Sequence, residues 1–173
     1  MKPLIRIVLS CDPHTGAFVV KLFQFFMVVA LCCSGTLLAD DMSQTSGVIS
    51  RQELFLEYPN FEENFDRYEV LEGAVKIPSE VSILIFFGTW CHDSQREVPR
   101  MLKILETVGF SEDSIKMVTL DFSKTDSGGL AVANAVEFTP TFIFLKQQKA
   151  IGRIVERPAT TLEEAIAELL VQL

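Results

Sequence analysis

Gly88, Thr89 and Trp90 lead into Cys91, and His92, Asp93 and Ser94 follow it. Four consecutive positions therefore hold a thiol, an imidazole, a carboxylate and a hydroxyl. The chemistry they suggest is nucleophilic attack by sulfur, which requires the thiolate. The short β-branched and aromatic run at 83–87 stops at Gly88 and reads as a buried strand, and a helical pattern begins after Cys91. Backbone N–H groups and the dipole at a helix start favour negative charge, and such a site lowers a thiol pKa from ~8.5 to between ~3.5 and ~7.5. A buried structural cysteine is the ordinary alternative. The turn residues before Cys91 and the polar ones after it favour partial exposure instead. His92 stabilises a thiolate if it is an imidazolium facing the sulfur and does nothing if it points to solvent. Adjacency in sequence does not choose between the two. Asp93 suits a helix N-terminus but opposes a neighbouring thiolate, and plain helix stabilisation is its preferred reading. A tetrahedral zinc site needs about four ligands. Past the first 33 residues only Cys91 and His92 could supply Cys or His ligands, so no metal and no cofactor is expected.

An apolar strand, Trp90-Cys91, a helix and Pro99 eight residues beyond the cysteine together resemble the active-site region of the thioredoxin family. A second motif, Phe138-Thr139-Pro140-Thr141-Phe142, resembles the cis-proline loop of that family. The resemblance spans roughly 81–173. It implies an α/β fold, a thioredoxin-like three-layer sandwich with a mixed central sheet, here carrying an added N-terminal helical region. It also implies that Pro140 is cis and holds the Thr139 backbone beside Cys91, where an extended substrate could pair in strand fashion. Trp90, Thr139 and Pro140 would then form the substrate groove.

Two positions depart from the family pattern. Ser94 stands where thioredoxins have a second cysteine, giving C-x-x-S, and Ile85 stands where they bury an aspartate. A hydroxyl cannot form a disulfide, so Ser94 cannot resolve a mixed disulfide. It could donate to the Cys91 thiolate or cap the helix. Turnover then needs an outside thiol.

The elements that must position these residues can be read along a chain of 173 residues, long enough for one domain with a sizeable core. A net charge of −8 argues against nucleic acid as a partner. Lys2, Arg6 and Lys21, the apolar run at 22–33, and Leu37-Leu38-Ala39 follow the order of a secretory signal, with cleavage expected after Ala39. An uncleaved membrane anchor through 22–38 ranks second, and lipidation at Cys32 third. Each would export the domain to the cell envelope, periplasmic in a Gram-negative host. Residues 1–39 are thus assigned to the leader, 40–49 to a polar linker and 50–173 to the domain.

Helices are expected from Ser50, with Phe61, Phe65 and Tyr68 on one face packing onto the sheet. A further helix should carry Val98, Met101, Leu102, Leu105 and Val108 inward, with Arg96, Glu97, Arg100, Lys103 and Glu106 on the solvated face. A strand at 115–122, a short helix at 130–136, a hairpin of 141–146 and 150–156, and a capped helix at 162–173 complete the order. The function expected is that of a monothiol thiol–disulfide oxidoreductase, a monomer acting on protein disulfides or low-molecular-weight thiols. The alternatives are a redox-inactive binding or chaperone module and a glutaredoxin-like monothiol protein. Trp90 and the exported setting count against the last.

Overall fold

In chain order the elements are β1 (Gly47–Ile49), α1 (Arg51–Glu57), α2 (Pro59–Arg67), β2 (Val81–Phe87), α3 (His92–Thr107), a 3₁₀ turn (Glu112–Ser114), β3 (Ile115–Thr119), α4 (Leu130–Ala133), β4 (Thr141–Lys146), β5 (Lys149–Val155) and α5 (Leu162–Val171). The structure, a computed structural model, describes residues 46–71, 73 and 75–171. The chain divides into residues 1–42 and 43–173. The leader expected at 1–39, with its alternative anchor at 22–38, lies outside the described residues. Among the described residues no helix is long and apolar enough to cross a membrane.

The five strands form one mixed sheet in the order β1-β3-β2-β4-β5. β2 lies parallel to β3 and antiparallel to β4, so it is paired along both edges. This explains its nearly unbroken apolar sequence: both faces are covered. Ile83, Ile85 and Phe87 point to one face, where they pack with Leu54 of α1, Phe61 and Phe65 of α2, the apolar stripe of α3, and Leu162 and Ile166 of α5. Phe86 points to the other face and packs with Val118, Leu120, Ile143, Leu145 and Ala131 of α4. Helices, sheet and a thin second cover make three layers. The aromatic stripe at Phe61 and Phe65 is core, as its spacing predicts.

Several boundaries differ from the sequence reading. Residues 47–49, placed in the linker, form the edge strand β1 and pair with Met117–Thr119. Thr119 reinforces the pairing from its side chain, with Oγ1 accepting from Gly47 N at 3.1 Å and donating to Gly47 O at 3.0 Å. Three residues beginning with glycine are too short to show an alternating pattern. β3 ends at Thr119 rather than at 122, because the chain turns back on itself at 121–125, where Asp121 N donates to Thr125 O at 3.0 Å and Lys124 N to Asp121 O at 2.9 Å. The short helix closes at Ala133, with Asp126 accepting from the N–H groups of Gly128, Leu130 and Ala131 at its start. The hairpin turns on Gln147 and Gln148 alone, both at positive φ, the backbone a two-residue type I′ loop requires. α5 opens on a reciprocal cap between Thr161 and Glu164.

Glu97 needs the largest correction. Assigned to the solvated face of α3, it is 1% exposed. It lies in phase with Ser94 and Met101, at the margin of the apolar stripe, and α2 and α5 close over that margin.

Candidate functional site

Cys91 is the N-cap residue of α3, in extended conformation, with no side-chain cap of its own. The turn that delivers it from β2 is held at each step. Cys91 N donates to Gly88 O (3.0 Å) and Gln95 N to Cys91 O (2.9 Å). The Gln95 side-chain amide donates to Thr89 O at 2.8 Å, and Asn64 of α2 reaches Gln95 O at 2.9 Å. Sequence reasoning missed Gln95 and Asn64 as parts of the site. Asn64 meets the turn only through the docking of α2 on α3, so its spacing carries no signal.

On the other side of the sulfur stands the Thr139–Pro140 loop. The Thr139–Pro140 peptide is cis. Cys91 Sγ–H donates to Thr139 O at 3.3 Å. Thr141 Oγ1 donates to Phe138 O at 2.7 Å, and Glu156 N to Pro140 O at 2.7 Å. The loop is therefore tied to both strands that flank it. Cys91 is half-buried, while Thr139 and Pro140 are buried.

Trp90 covers the third side. Its indole N–H donates to Leu120 O at 3.2 Å, and its ring lies 4.9 Å from that of Phe122. Phe122 and Phe138 are 69% and 47% exposed, so the rings next to Trp90 and Thr139 are open to solvent. Gly88 allows the indole to lie where it does: a Cβ on that residue would come within 2.6 Å of the ring. Gly88→Ala is expected to displace Trp90 and break its bond to Leu120. Trp90 is the only tryptophan in the chain, so the change reads directly as a red-shifted indole emission, with about 1–3 kcal/mol lost in urea unfolding. An unaltered spectrum would refute it.

Ser94 is fully buried one turn into α3, with Oγ accepting from Gly88 N at 3.3 Å. It does not cap the helix, since Cys91 holds that position. Partial burial pushes the Cys91 pKa up. The Thr139 side chain, the Ser94 N–H and hydroxyl and the Asp93 N–H outweigh it, and the net shift is downward. His92 is exposed, on the groove between α2 and α3 beside Arg67, Arg96 and Arg100, and its ring makes no hydrogen bond to the described residues. Ile85, at the position of the family's buried aspartate, is fully buried among apolar neighbours.

The strand–turn–helix around one cysteine, opposed by a cis-proline loop across a mixed sheet, defines the class of protein: a thioredoxin fold. The Thioredoxin family profile matches residues 62–168, more than half of the chain. The protein belongs to the thioredoxin family. Thioredoxin-like protein R548 of Acanthamoeba polyphaga mimivirus is 33% identical over 91 residues, covering 50% of this chain and 60% of the relative's length. Mitochondrial thioredoxin 3 of Saccharomyces cerevisiae is 25% identical, with a TM-score of 0.39 over 51% of this chain and 78% of the other. Fasciola hepatica thioredoxin is 21% identical, with a TM-score of 0.40 over 52% and 81%.

Proposed function

We propose that this protein is a monothiol thiol–disulfide oxidoreductase of the cell envelope. The Cys91 thiolate attacks one sulfur of a partner disulfide; that S–S bond breaks, a Cys91–partner disulfide forms, and the second partner sulfur leaves as thiolate. An external thiolate then attacks the Cys91 sulfur of this mixed disulfide and releases the remaining partner sulfur as thiolate. A second external thiolate attacks the external sulfur of the new Cys91 disulfide and frees Cys91, so that two external thiols end joined in one disulfide and the partner ends as two thiols. Trp90, Thr139 and Pro140 form the walls against which an extended partner segment lies. Ser94 donates to the sulfur, and His92, next to Cys91 in the chain, lines the neighbouring groove between α2 and α3. The exported setting is inferred from the leader residues alone.

The observation that carries this reading is the place of Cys91 Sγ, half-exposed at a helix start and 3.3 Å from Thr139 O. Cys91 is the one cysteine among the described residues, and it is free. The thiolate fraction grows as pH rises through the thiol pKa, so a lowered pKa moves the onset of reactivity to lower pH. Alkylation of Cys91 is expected to reach half its maximal rate below the ~8.5 of free cysteine. A midpoint at or above that value would remove the thiolate mechanism.

The exposed Phe122 and Phe138, next to Trp90 and Thr139, also favour a second reading, a binding module that grips extended chains without turnover. Trapping of mixed-disulfide partners through Cys91 distinguishes the two, since a binding module leaves none.

A further inference from the structure

Asp93 is the nearest carboxylate in sequence to the sulfur. Its N–H helps to lower the Cys91 pKa, yet its side chain starts from the same helical turn, and a carboxylate near a thiolate works against ionisation. Arg96 occupies that carboxylate, with Nη2 2.7 Å from Asp93 Oδ1. The guanidinium does not swing freely. Its Nε lies 2.6 Å from Oε1 of Glu97, which is almost completely buried. Glu97 also meets Arg100 Nη1 at 3.4 Å, and Arg100 lies over the Tyr68 ring at 5.1 Å. The Tyr68 hydroxyl donates to buried Glu163 at 2.9 Å, which joins the end of α2 to α5. The edge of Arg96 that faces Asp93 is thus aimed from below by a buried acid.

We propose that Arg96 is a positioning residue for the reaction of Cys91, holding the Asp93 carboxylate in an ion pair so that it does not oppose the thiolate. A partly exposed ion pair of this kind contributes little to stability. Its consequence lies in the charge that the Asp93 carboxylate, two residues on in the same first turn, presents to the sulfur. The inference rests on Cys91 acting as a thiolate. Other charged groups surround the site. His92 is exposed on the same helix, Glu137 is exposed ahead of Thr139, and Lys124 sits over the Phe138 ring at 5.2 Å. Asp121 is held by Thr125, and Glu156 and Arg157 follow β5. All of these are common to the variants compared below.

The test is the pH dependence of Cys91 alkylation in the folded, reduced protein. Arg96→Gln is expected to raise the Cys91 pKa by about half a unit to one unit, which slows alkylation roughly three- to tenfold at pH values well below the pKa. Adding Asp93→Asn should restore the wild-type profile, and Arg96→Lys should keep most of it. A merely structural role for Arg96 would lower the unfolding midpoint without this reversal. Should Arg96→Gln fail to fold because Glu97 loses a partner, Arg96→Gln/Glu97→Gln removes both charges together and is read with and without Asp93→Asn. An unchanged profile on loss of Arg96, or a raised pKa that Asp93→Asn does not reverse, overturns the proposal. A wild-type thiol that titrates like free cysteine overturns instead the thiolate reading beneath it.

Discussion

Cys91→Ser is expected to abolish every covalent complex between this protein and a disulfide partner. The substitution keeps the shape of the helix start and removes the one sulfur that meets Thr139. A serine hydroxyl cannot take part in disulfide exchange, so the loss should be complete rather than graded. Non-reducing electrophoresis after incubation with disulfide-bearing extract, followed by release with a reductant, measures it. Mixed disulfides that persist in Cys91→Ser would transfer the chemistry to the cysteines at 11, 32 or 33. The counterpart is Ser94→Cys. Ser94 is buried against the Gly88 N–H one turn below Cys91, where a thiol could attack the mixed disulfide internally. Insulin reduction by a dithiol reductant should appear in that variant. If it does not, Ile85 is the first residue to change, since it supplies no proton-transferring group beside the second sulfur.

Phe61→Ala is expected to produce the largest loss of stability among single substitutions on the front helices, about 3–5 kcal/mol. Phe61 is fully buried, with its ring 5.8 Å from that of Phe87 and 6.3 Å from that of Tyr58. Phe87 is the last residue of β2, directly before the turn that presents Cys91. The cavity would therefore open beneath the site, and whole domains are stable by only ~5–15 kcal/mol. Urea unfolding of the reduced protein measures the loss. A change below about 1 kcal/mol would mean that α2 rests on the domain without sharing its core. The same variant should raise alkylation of Cys91 in the native state if the turn loosens with its support.

Local chemistry and periodicity settled a definite part of this molecule. The run ending at Gly88, the polar residues after Cys91 and the apolar stripe of α3 specify strand, turn and helix, because each depends on neighbours within a few positions. The Thr139–Pro140 loop was legible through likeness to a family, and a cap from Thr160 or Thr161 with Glu163 or Glu164 for the same local reason, the structure choosing Thr161 with Glu164. Ser94 in place of a cysteine is likewise read directly from the sequence, and it is the ground for proposing a single-thiol chemistry. Only the tertiary structure decided what surrounds these pieces. It enlisted three residues at 47–49 as an edge strand, buried Glu97 and Glu163 with cationic and phenolic partners, and brought Asn64 to the turn below the sulfur. A carboxylate is buried or solvated according to the donors that distant segments bring to it. Nothing within one turn of helix records whether Arg100, Tyr68 or α5 will be there.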